Sequence, residues 1–335
     1  MTRKGPGLLL RDVLTGKDRQ VEAAADVIAG VAPDVILLTG LDYDRDLVAL
    51  GAFSERLSIR GQTYPHAFAL RPNTGWATGI DLDGDGRLGG PGDAQGFGRF
   101  AGEGGMAILS RLPLDTDAVT DYSSFLWRDL PGALIDGAGL SDEAAAVQRL
   151  SSTGHWAVPV QLPSGQSLTL LAWHATPPVF DGPEDRNGRR NHDEAAFWLR
   201  LLDNQLPFRA PNAAFVILGD ANLDPIDGDG RPKALTALLD DPRLQNPQPS
   251  SEGGADAAEA QGGVNNDHKG DPAQDTADWP EDRGPGNLRV EFVLPSADLQ
   301  ITDAGVWWPV LGSEAAKTAE TASRHRLVWI DVALP

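Results

Sequence analysis

Cysteine, positive charge and long apolar runs are all scarce in this sequence of 335 residues. The absence of cysteine excludes disulfide bonds and thiolate metal sites, so any metal must be held by oxygen or imidazole ligands. Lys and Arg number 28 against 48 Asp and Glu, and the resulting net charge of −20 gives an average surface that repels polyanions. A basic face that grips duplex DNA is therefore not expected. No apolar run approaches the length of a membrane span, and no signal peptide precedes Leu8, so we expect a soluble chain.

The sequence does contain enough apolar material for a sizeable core, since 41% of its residues are hydrophobic. Two stretches depart from this composition. Residues 71–105 are rich in Gly, Asp and Asn, and residues 248–287 hold too few large apolar groups to bury a core of their own. We therefore expect a single domain over 1–335 that carries irregular acidic or glycine-rich insertions near these two stretches.

Hydrophobic periodicity divides the rest of the chain into helices and strands. Apolar residues at helical spacing predict amphipathic helices over 18–31 and 191–206. Short runs that are alternating or almost continuously apolar predict strands, two of which are joined by a four-residue turn as a hairpin. The predicted strands cover 34–39, 106–111, 155–162, 167–173, 214–218, 288–294 and 327–334.

Polar side chains follow the strand over 214–218 directly. Gly219 ends the apolar run, and Asp220 and Asn222 then emerge at its carboxyl end, the edge where α/β proteins usually carry out chemistry. A carboxylate and an amide held there can fix a hard cation and a phosphate oxygen relative to each other. The alternative is a strand followed by an Asx-type turn, because Asp and Asn favour turns for local reasons.

Two histidines stand at the ends of other predicted strands, His174 after one and His325 before the last. If they converge on Asp220 and Asn222, the imidazoles can act as general base and general acid toward a phosphoester. A single histidine at a strand end is more often structural or solvated. The combination points to catalysis more specifically than any of its parts.

The order of these motifs resembles the endonuclease/exonuclease/phosphatase superfamily, the DNase I-like fold. The resemblance implies an α/β (α+β) fold, a four-layer sandwich of two packed mixed β-sheets flanked by helices, with a magnesium-dependent phosphodiesterase or phosphomonoesterase site. It further implies that His174 and His325 are the paired catalytic histidines, and that Asp220 and Asn222 orient the nucleophile and contact the phosphate. The segments that carry the resemblance are Pro33–Leu38, Gly105–Arg111, Trp173–His174, Gly219–Asn222, Leu288–Leu294 and Ser323–Leu327.

Several positions depart from the family pattern. Gly40 stands where the family has a metal-binding Glu, and Asp42 and Asp44 either take over as ligands or belong to a solvated loop. Glu291 replaces the polarising Asp of the family. The family also opens with a strand that ends in an Asn near the metal, and this chain begins too late to contain it.

Arginines near the two histidines are candidate phosphate ligands. Arg324 replaces the Asp that usually backs the last histidine, and a guanidinium there disfavours the charged ring and can contact phosphate directly. In the polar run after His174, Arg186 and Arg189 can face an anionic substrate. The alternative for that run is that its charges cap and solvate the following helix.

A separate cation loop is suggested by Asp81, Asp83 and Asp85, which match the first half of an EF-hand calcium loop, although its twelfth position is Gly92 instead of an acid. The alternatives are a bound structural calcium and a solvated acidic turn.

Taken together, the sequence predicts a metal-dependent hydrolase of phosphate esters. The expected cofactor is a divalent cation, magnesium first and manganese or calcium as alternatives, held by residues drawn from Asp220, Asn222, Glu291, Asp42 and Asp44. A small phosphate ester is a more suitable substrate than duplex DNA, and no protein partner is predicted. The competing hypothesis is a catalytically impaired member that binds a ligand or partner through the same cleft. The compartment is not indicated, and the resemblance is compatible with an exported protein whose N-terminus is truncated.

Overall fold

Alternation of apolar side chains in the strands lets two β-sheets of this protein pack face to face. A computed structural model describes residues 1–333. The strand predicted over 327–334 is present, and its last residue, Leu334, lies outside the described residues. The helices are α1 Leu8–Thr15, α2 Arg19–Val31, α3 Val48–Ser58, α4 Asp142–Val147, α5 Arg186–Leu202, α6 Lys233–Leu239, α7 Glu252–Gln261 and α8 Glu314–Ala322. The strands are β1 Val35–Leu41, β2 His66–Phe68, β3 Gly105–Ser110, β4 Thr120–Asp121, β5 Gly154–Gln161, β6 Ser167–His174, β7 Phe215–Asp220, β8 Ala277–Asp278, β9 Asn287–Leu288, β10 Glu291–Pro295, β11 Gln300–Trp307 and β12 Leu327–Ala333.

The larger sheet has five strands in the order β10-β7-β6-β5-β4. Strands β6 and β7 are parallel, and the other pairs are antiparallel, so the sheet is mixed. The smaller sheet has the order β1-β3-β2 and is antiparallel throughout. Strands β11 and β12 form a separate antiparallel ribbon, and β8 and β9 a short one.

Successive side chains of a central strand point to opposite faces of its sheet and so belong to different layers of the core. Met106 and Ile108 on β3 pack between the sheets against Trp156 and Leu170, whereas Ala107 on β3 faces the layer of helices α1, α2 and α3. In the larger sheet, the residues on the outer face pack against α5 and α6 instead. The result is the predicted sandwich, with helices outside two packed sheets. A one-residue slip in the register of a central strand would exchange the side chains on its two faces.

Helix α5 begins earlier than the periodicity predicted, at Arg186 instead of residue 191. Its first turn is polar, but the buried Arg190 guanidinium donates to the carbonyl oxygens of Leu150 and Gln95, at 2.8 and 2.6 Å. Tertiary hydrogen bonds therefore stabilise a helical turn that has no apolar stripe. The helix ends at Leu202, and Asn204 adopts a left-handed conformation with φ 54° two residues later.

The stretch 248–287 is more ordered than its composition indicated. It contains α7, whose small residues Gly253, Gly254, Ala257 and Ala258 are buried. A Cβ on Gly253 would lie 2.2 Å from the carbonyl oxygen of Trp308, so the small side chains permit a close approach that replaces a large apolar stripe. The stretch 71–104 is irregular: within residues 1–333, it contains neither an α-helix nor a strand. None of the helices of the described part is long and apolar enough to cross a membrane.

Candidate active site

Strand topology brings the predicted site residues to one edge of the five-stranded sheet. Because β6 and β7 are parallel and in register, His174 lies opposite Asp220 at their carboxyl ends. Strand β10 pairs with the other side of β7 and places Glu291 opposite the same Asp220. His325 reaches this edge from the segment that precedes β12. Three strands and one connecting segment therefore converge on one carboxylate.

Asp220 is the centre of this arrangement and is 3% exposed. Its Oδ2 lies 3.5 Å from His174 Nε2 and 3.6 Å from His325 Nδ1. Its Oδ1 accepts a hydrogen bond of 2.7 Å from the backbone N–H of Asn222. The Asx-type turn that the sequence offered as an alternative is therefore present together with the convergence of the two histidines.

The two histidines have opposite electrostatic environments. Burial lowers the pKa of His174, and its Nδ1 is buried without a hydrogen-bond partner in the described residues. Burial also acts to lower the pKa of His325, but the carboxylates of Glu291 and Asp220 outweigh it and raise the pKa to about 9. Burial raises the pKa of Asp220 itself. At neutral pH, His174 is therefore neutral and His325 is an imidazolium.

His325 is held by residues that the sequence reading did not single out as partners. Its Nδ1 is hydrogen-bonded to Glu291 Oε1. The indole of Trp279 meets the imidazole edge-on, with ring centroids 5.3 Å apart and an interplanar angle of 83°. Ala277 forms an isolated antiparallel bridge with His325. The stretch 248–287 thus supplies one wall of the site. The sequence feature that could have indicated this is Trp279, a large aromatic residue in an otherwise polar stretch.

Helix α5 ties together the two loops that carry the site. The buried Asn191 amide donates to the carbonyl oxygens of Thr176 and Ala221, each at 2.7 Å. These residues follow β6 and β7 respectively. Asn222 adds a third tie, because its Nδ2 donates to Ala175 O at 2.8 Å while its backbone is left-handed at φ 50°. The positions of His174 and Asp220 therefore depend on a helix that lies outside the sheet.

A group of potential metal ligands forms within the site. One ligand atom from each of Asp220, Glu291 and His325 lies within 4.8 Å of the other two. Glu291 Oε2 is buried and has no hydrogen-bond partner among the described residues. The buried carboxylate of Asp220 and the half-buried carboxylate of Glu291 suit a divalent cation, which would also satisfy this otherwise unpaired oxygen.

Asp42 and Asp44, which were predicted as substitute ligands, do not join this group. Asp42 accepts hydrogen bonds from the backbone N–H groups of Arg3 and Gly104, at 2.8 and 3.0 Å. Asp44 accepts from Val48 and Ala49 at the start of α3, at 2.8 Å each. Both carboxylates accept hydrogen bonds from backbone donors, and metal binding by either of them stays a prediction.

The backbone conformation at Gly40 accounts for a glycine at the position where the family pattern has a metal-binding Glu. Its backbone is left-handed at φ 64°, and its carbonyl oxygen accepts hydrogen bonds from the Met1 ammonium and from Thr2 Oγ1. A side chain at this φ is strained, so glycine suits the conformation.

The arginines do not form a phosphate clamp in this structure. Arg186 donates to the carbonyl oxygens of Leu82 and Ala138, at 2.8 and 3.0 Å, and Arg189 donates to Glu184 O at 2.9 Å. These contacts hold loops next to α5, as in the alternative that assigned the run a structural role. Arg324 is exposed beside the site, and its contact with phosphate stays a prediction.

The acidic loop lies apart from this group. Ligand atoms of Asp81, Asp83 and Asp85 lie within 4.8 Å of one another. The carboxylate of Asp81 also accepts hydrogen bonds from the backbone N–H groups of Gly84, Asp85 and Gly86. Such bonds are those of a self-contained acidic turn, and calcium binding here stays a prediction.

Comparison with known proteins settles the family. The sequence matches the Endonuclease/Exonuclease/phosphatase family over residues 12–325. The chain belongs to this family. No curated protein matches it.

Two solved structures share the DNase I-like fold of this family member. An endonuclease/exonuclease/phosphatase from Beutenbergia cavernae DSM 12333 superposes with a TM-score of 0.54 at 18% identity, over 94% of this chain and 66% of that one. A family protein from Leptotrichia buccalis C-1013-b superposes with a TM-score of 0.51 at 14% identity, over 95% of this chain and 94% of that one.

Proposed function

We propose that this protein is a metal-dependent hydrolase of phosphate esters, acting at His174, Asp220, Asn222 and His325. The observation that carries the proposal is the convergence of both imidazoles on one buried carboxylate oxygen, at 3.5 and 3.6 Å. Family membership places phosphoester chemistry among the activities to be considered first.

The protonation states of the two histidines define their roles. A neutral His174, next to Asp220, can accept a proton from an attacking water. The charged His325 can stabilise negative charge on the phosphoryl oxygens and donate a proton toward the leaving group. Glu291 holds the His325 ring and favours its charged form. Two groups of one type thus take opposite roles because their surroundings move their pKa values in opposite directions.

Asp220 and Asn222 position the reacting groups. The buried carboxylate lies between the histidines, where it can orient the attacking water and stabilise the imidazolium that forms. The Asn222 amide is fixed through Ala175 and can direct its oxygen or nitrogen toward the phosphate.

Asp220 and Glu291 would hold the divalent cation. Magnesium is the first choice, with manganese or calcium as alternatives, because both donors are carboxylates. When bound, such a cation supplies charge neutralisation for the transferring phosphoryl group. The unpaired Glu291 Oε2 is the local feature that supports this assignment.

A small phosphate ester fits the protein better than duplex DNA. The net charge is −20, and the arginines of α5 are bonded to backbone carbonyls. A net charge of this sign does not favour a broad basic surface that neutralises a phosphate backbone.

A ligand-binding, catalytically impaired protein is the second candidate, favoured by Gly40 at the position of the family Glu and by Arg324 next to His325. Hydrolysis distinguishes the two candidates. We expect the chain to hydrolyse a generic phosphodiester or phosphomonoester in the presence of magnesium, manganese or calcium.

The variants His174→Ala and Asp220→Ala should reduce kcat by about 10²- to 10⁴-fold, the range for loss of a positioned acid or base. His66→Ala is the matched control, because His66 pairs with Ser110 at the end of the small sheet remote from Gly40. Activity that survives both site substitutions would remove these residues from the mechanism. Binding of phosphate esters without turnover would favour the impaired protein.

A further inference from the structure

The hydroxyl of Thr276 holds the backbone where β10 begins. Thr276 is 0% exposed, and its Oγ1 accepts hydrogen bonds from the N–H groups of Val290 and Glu291, at 2.9 and 3.1 Å. Glu291 is the first residue of β10 and lies opposite Asp220. One side chain from outside the five-stranded sheet therefore fixes the point at which the Glu291 carboxylate enters the site.

The backbone of the same residue holds the segment that carries His325. The carbonyl oxygen of Thr276 accepts a hydrogen bond of 2.7 Å from Arg326 N. The next residue, Ala277, forms the isolated bridge with His325. Thr276 is thus bonded to the chain beside each partner of the hydrogen bond between Glu291 and His325.

A hydroxyl suits this position because its oxygen has two acceptor lone pairs for the two N–H groups that converge on it. Val290 is buried, and a side chain without an acceptor would leave the N–H groups of Val290 and Glu291 unpaired. The backbone would then relax to find other partners for them. The Glu291 carboxylate would move with that backbone relative to the His325 ring.

We propose that Thr276 is a positioning residue for the site, and that it sets the distance and angle between the Glu291 carboxylate and the His325 imidazole. It acts through these two side chains and not through contact with substrate. Its effect on turnover rests on the proposed function, in which His325 donates a proton toward the leaving group while Glu291 holds the ring. Its effect on the hydrogen bond between the two side chains does not depend on that function.

Ser296 provides a matched control at the far end of the same strand pair. Its Oγ accepts a hydrogen bond of 3.0 Å from Phe215 N, and the residue is 3% exposed. Phe215 begins β7 and Ser296 directly follows β10, so this buried hydroxyl lies at the end remote from Asp220 and Glu291. Loss of either hydroxyl should lower stability, and only the loss at Thr276 should affect the site.

The test compares Thr276→Val, Thr276→Ser and Ser296→Ala. NMR of metal-free protein at neutral pH follows the Nδ1–H proton of His325, which is donated to Glu291. Thr276→Val should speed the exchange of this proton with water at least about tenfold, because the hydrogen bond opens more often. In hydrolysis it should lower kcat by about 10- to 100-fold with little change in KM, as expected for a catalytic group misplaced by about 1 Å. Thr276→Ser keeps the hydroxyl and should restore both values, whereas Ser296→Ala should lower Tm and change neither.

The proposal is overturned if Thr276→Val lowers Tm as Ser296→Ala does but keeps the Nδ1–H exchange rate of the original chain. It is also overturned if Thr276→Ser behaves like Thr276→Val, because the hydroxyl is then not the group that matters. Should Thr276→Val fail to fold, Thr276→Ala takes its place with the same expectations, since its smaller side chain sets no second methyl group against the unpaired N–H groups. Absence of turnover in the original chain would refute the proposed hydrolase, and the exchange measurement would then decide the role of Thr276 by itself.

Discussion

The pairing of His325 with Glu291 is the residue-scale feature that most distinguishes this site. The family pattern has an Asp behind the last histidine, and Arg324 occupies that position here. The structure supplies a carboxylate from β10 instead, since Glu291 Oε1 is bonded to His325 Nδ1. The longer Glu side chain reaches the imidazole from a neighbouring strand. A carboxylate partner that the sequence appeared to have lost is therefore provided from elsewhere in the fold.

Replacing that carboxylate should change how His325 titrates. In Glu291→Gln, the amide keeps the volume but removes the charge that raises the pKa of His325 to about 9. We expect the pKa to fall from about 9, because Asp220 is then the one carboxylate left to oppose the burial that lowers it. The imidazolium should then lose its proton at a lower pH than the original chain, where this occurs near pH 9. NMR titration of the His325 ring protons in metal-free protein measures this directly.

The same substitution affects stability with a defined sign. Because the folded-state pKa of His325 is raised, its contribution to stability is complete below pH 6.5 and is lost as the pH rises through about 9. Glu291→Gln should weaken this pH dependence in urea unfolding, because the largest cause that raises the pKa of His325 is removed. His66→Ala serves as the control that leaves both measurements unchanged. An unaltered His325 titration in the Gln variant would show that Glu291 does not set its charge.

At the scale of secondary-structure elements, α5 is hydrogen-bonded through Asn191 to the two loops that follow β6 and β7. Asn191→Ala should remove the donors to the buried carbonyl oxygens of Thr176 and Ala221. The expected cost is about 1 to 3 kcal/mol of unfolding free energy, because buried acceptors lose their partner. A lower kcat is also expected, since both loops carry site residues. Urea unfolding and phosphoester hydrolysis measure the two effects.

Asn187→Ala provides the matched comparison on the same helix. Its Nδ2 also donates to a backbone carbonyl, that of Val179, at 2.7 Å, but this bond does not join the loops that follow β6 and β7. Stability should decrease in both variants, whereas the loss of kcat should be confined to Asn191→Ala. Equal kcat values in the two variants would show that Asn191 has no role in positioning the site.

Elements with an apolar pattern could be predicted from the sequence, and those held by polar contacts could not. Strands β5, β6 and β7 lie within one or two residues of the predicted ranges because both of their faces are buried. The run 288–294 was predicted as one strand but is interrupted between β9 and β10. There, Arg289 N donates to Asp224 Oδ2 and Val290 N to Thr276 Oγ1 instead of to a neighbouring strand. Hydrogen bonds to side-chain acceptors such as these leave no periodic pattern in the sequence from which the interruption could be predicted.

At the scale of the whole molecule, the candidate site was predictable where it depends on strand ends. The meeting of His174 and Asp220 follows from parallel neighbours in register. The contribution of Trp279 was not predictable, because it depends on how a stretch of small residues folds back over the sheet. The backbone hydrogen-bond partners of Asp42 and Asp44 were not predictable either, since closeness in sequence does not specify where a carboxylate points.

Binding of a divalent cation should stabilise the whole fold, because its ligands come from separate elements. Asp220 ends β7 and Glu291 begins β10, so a cation bound by their carboxylates links parts that separate on unfolding. Magnesium at one hundred times its Kd should raise the free energy of unfolding by about 2.7 kcal/mol.

With a net charge of −20, any salt will also reduce self-repulsion, so sodium chloride at equal ionic strength is the necessary reference. The rise beyond that reference should vanish in Asp220→Asn and persist in Asp81→Asn, whose change lies in the separate acidic loop. The reverse result would place the cation in that loop, and an equal rise in both variants would show that magnesium acts through general screening.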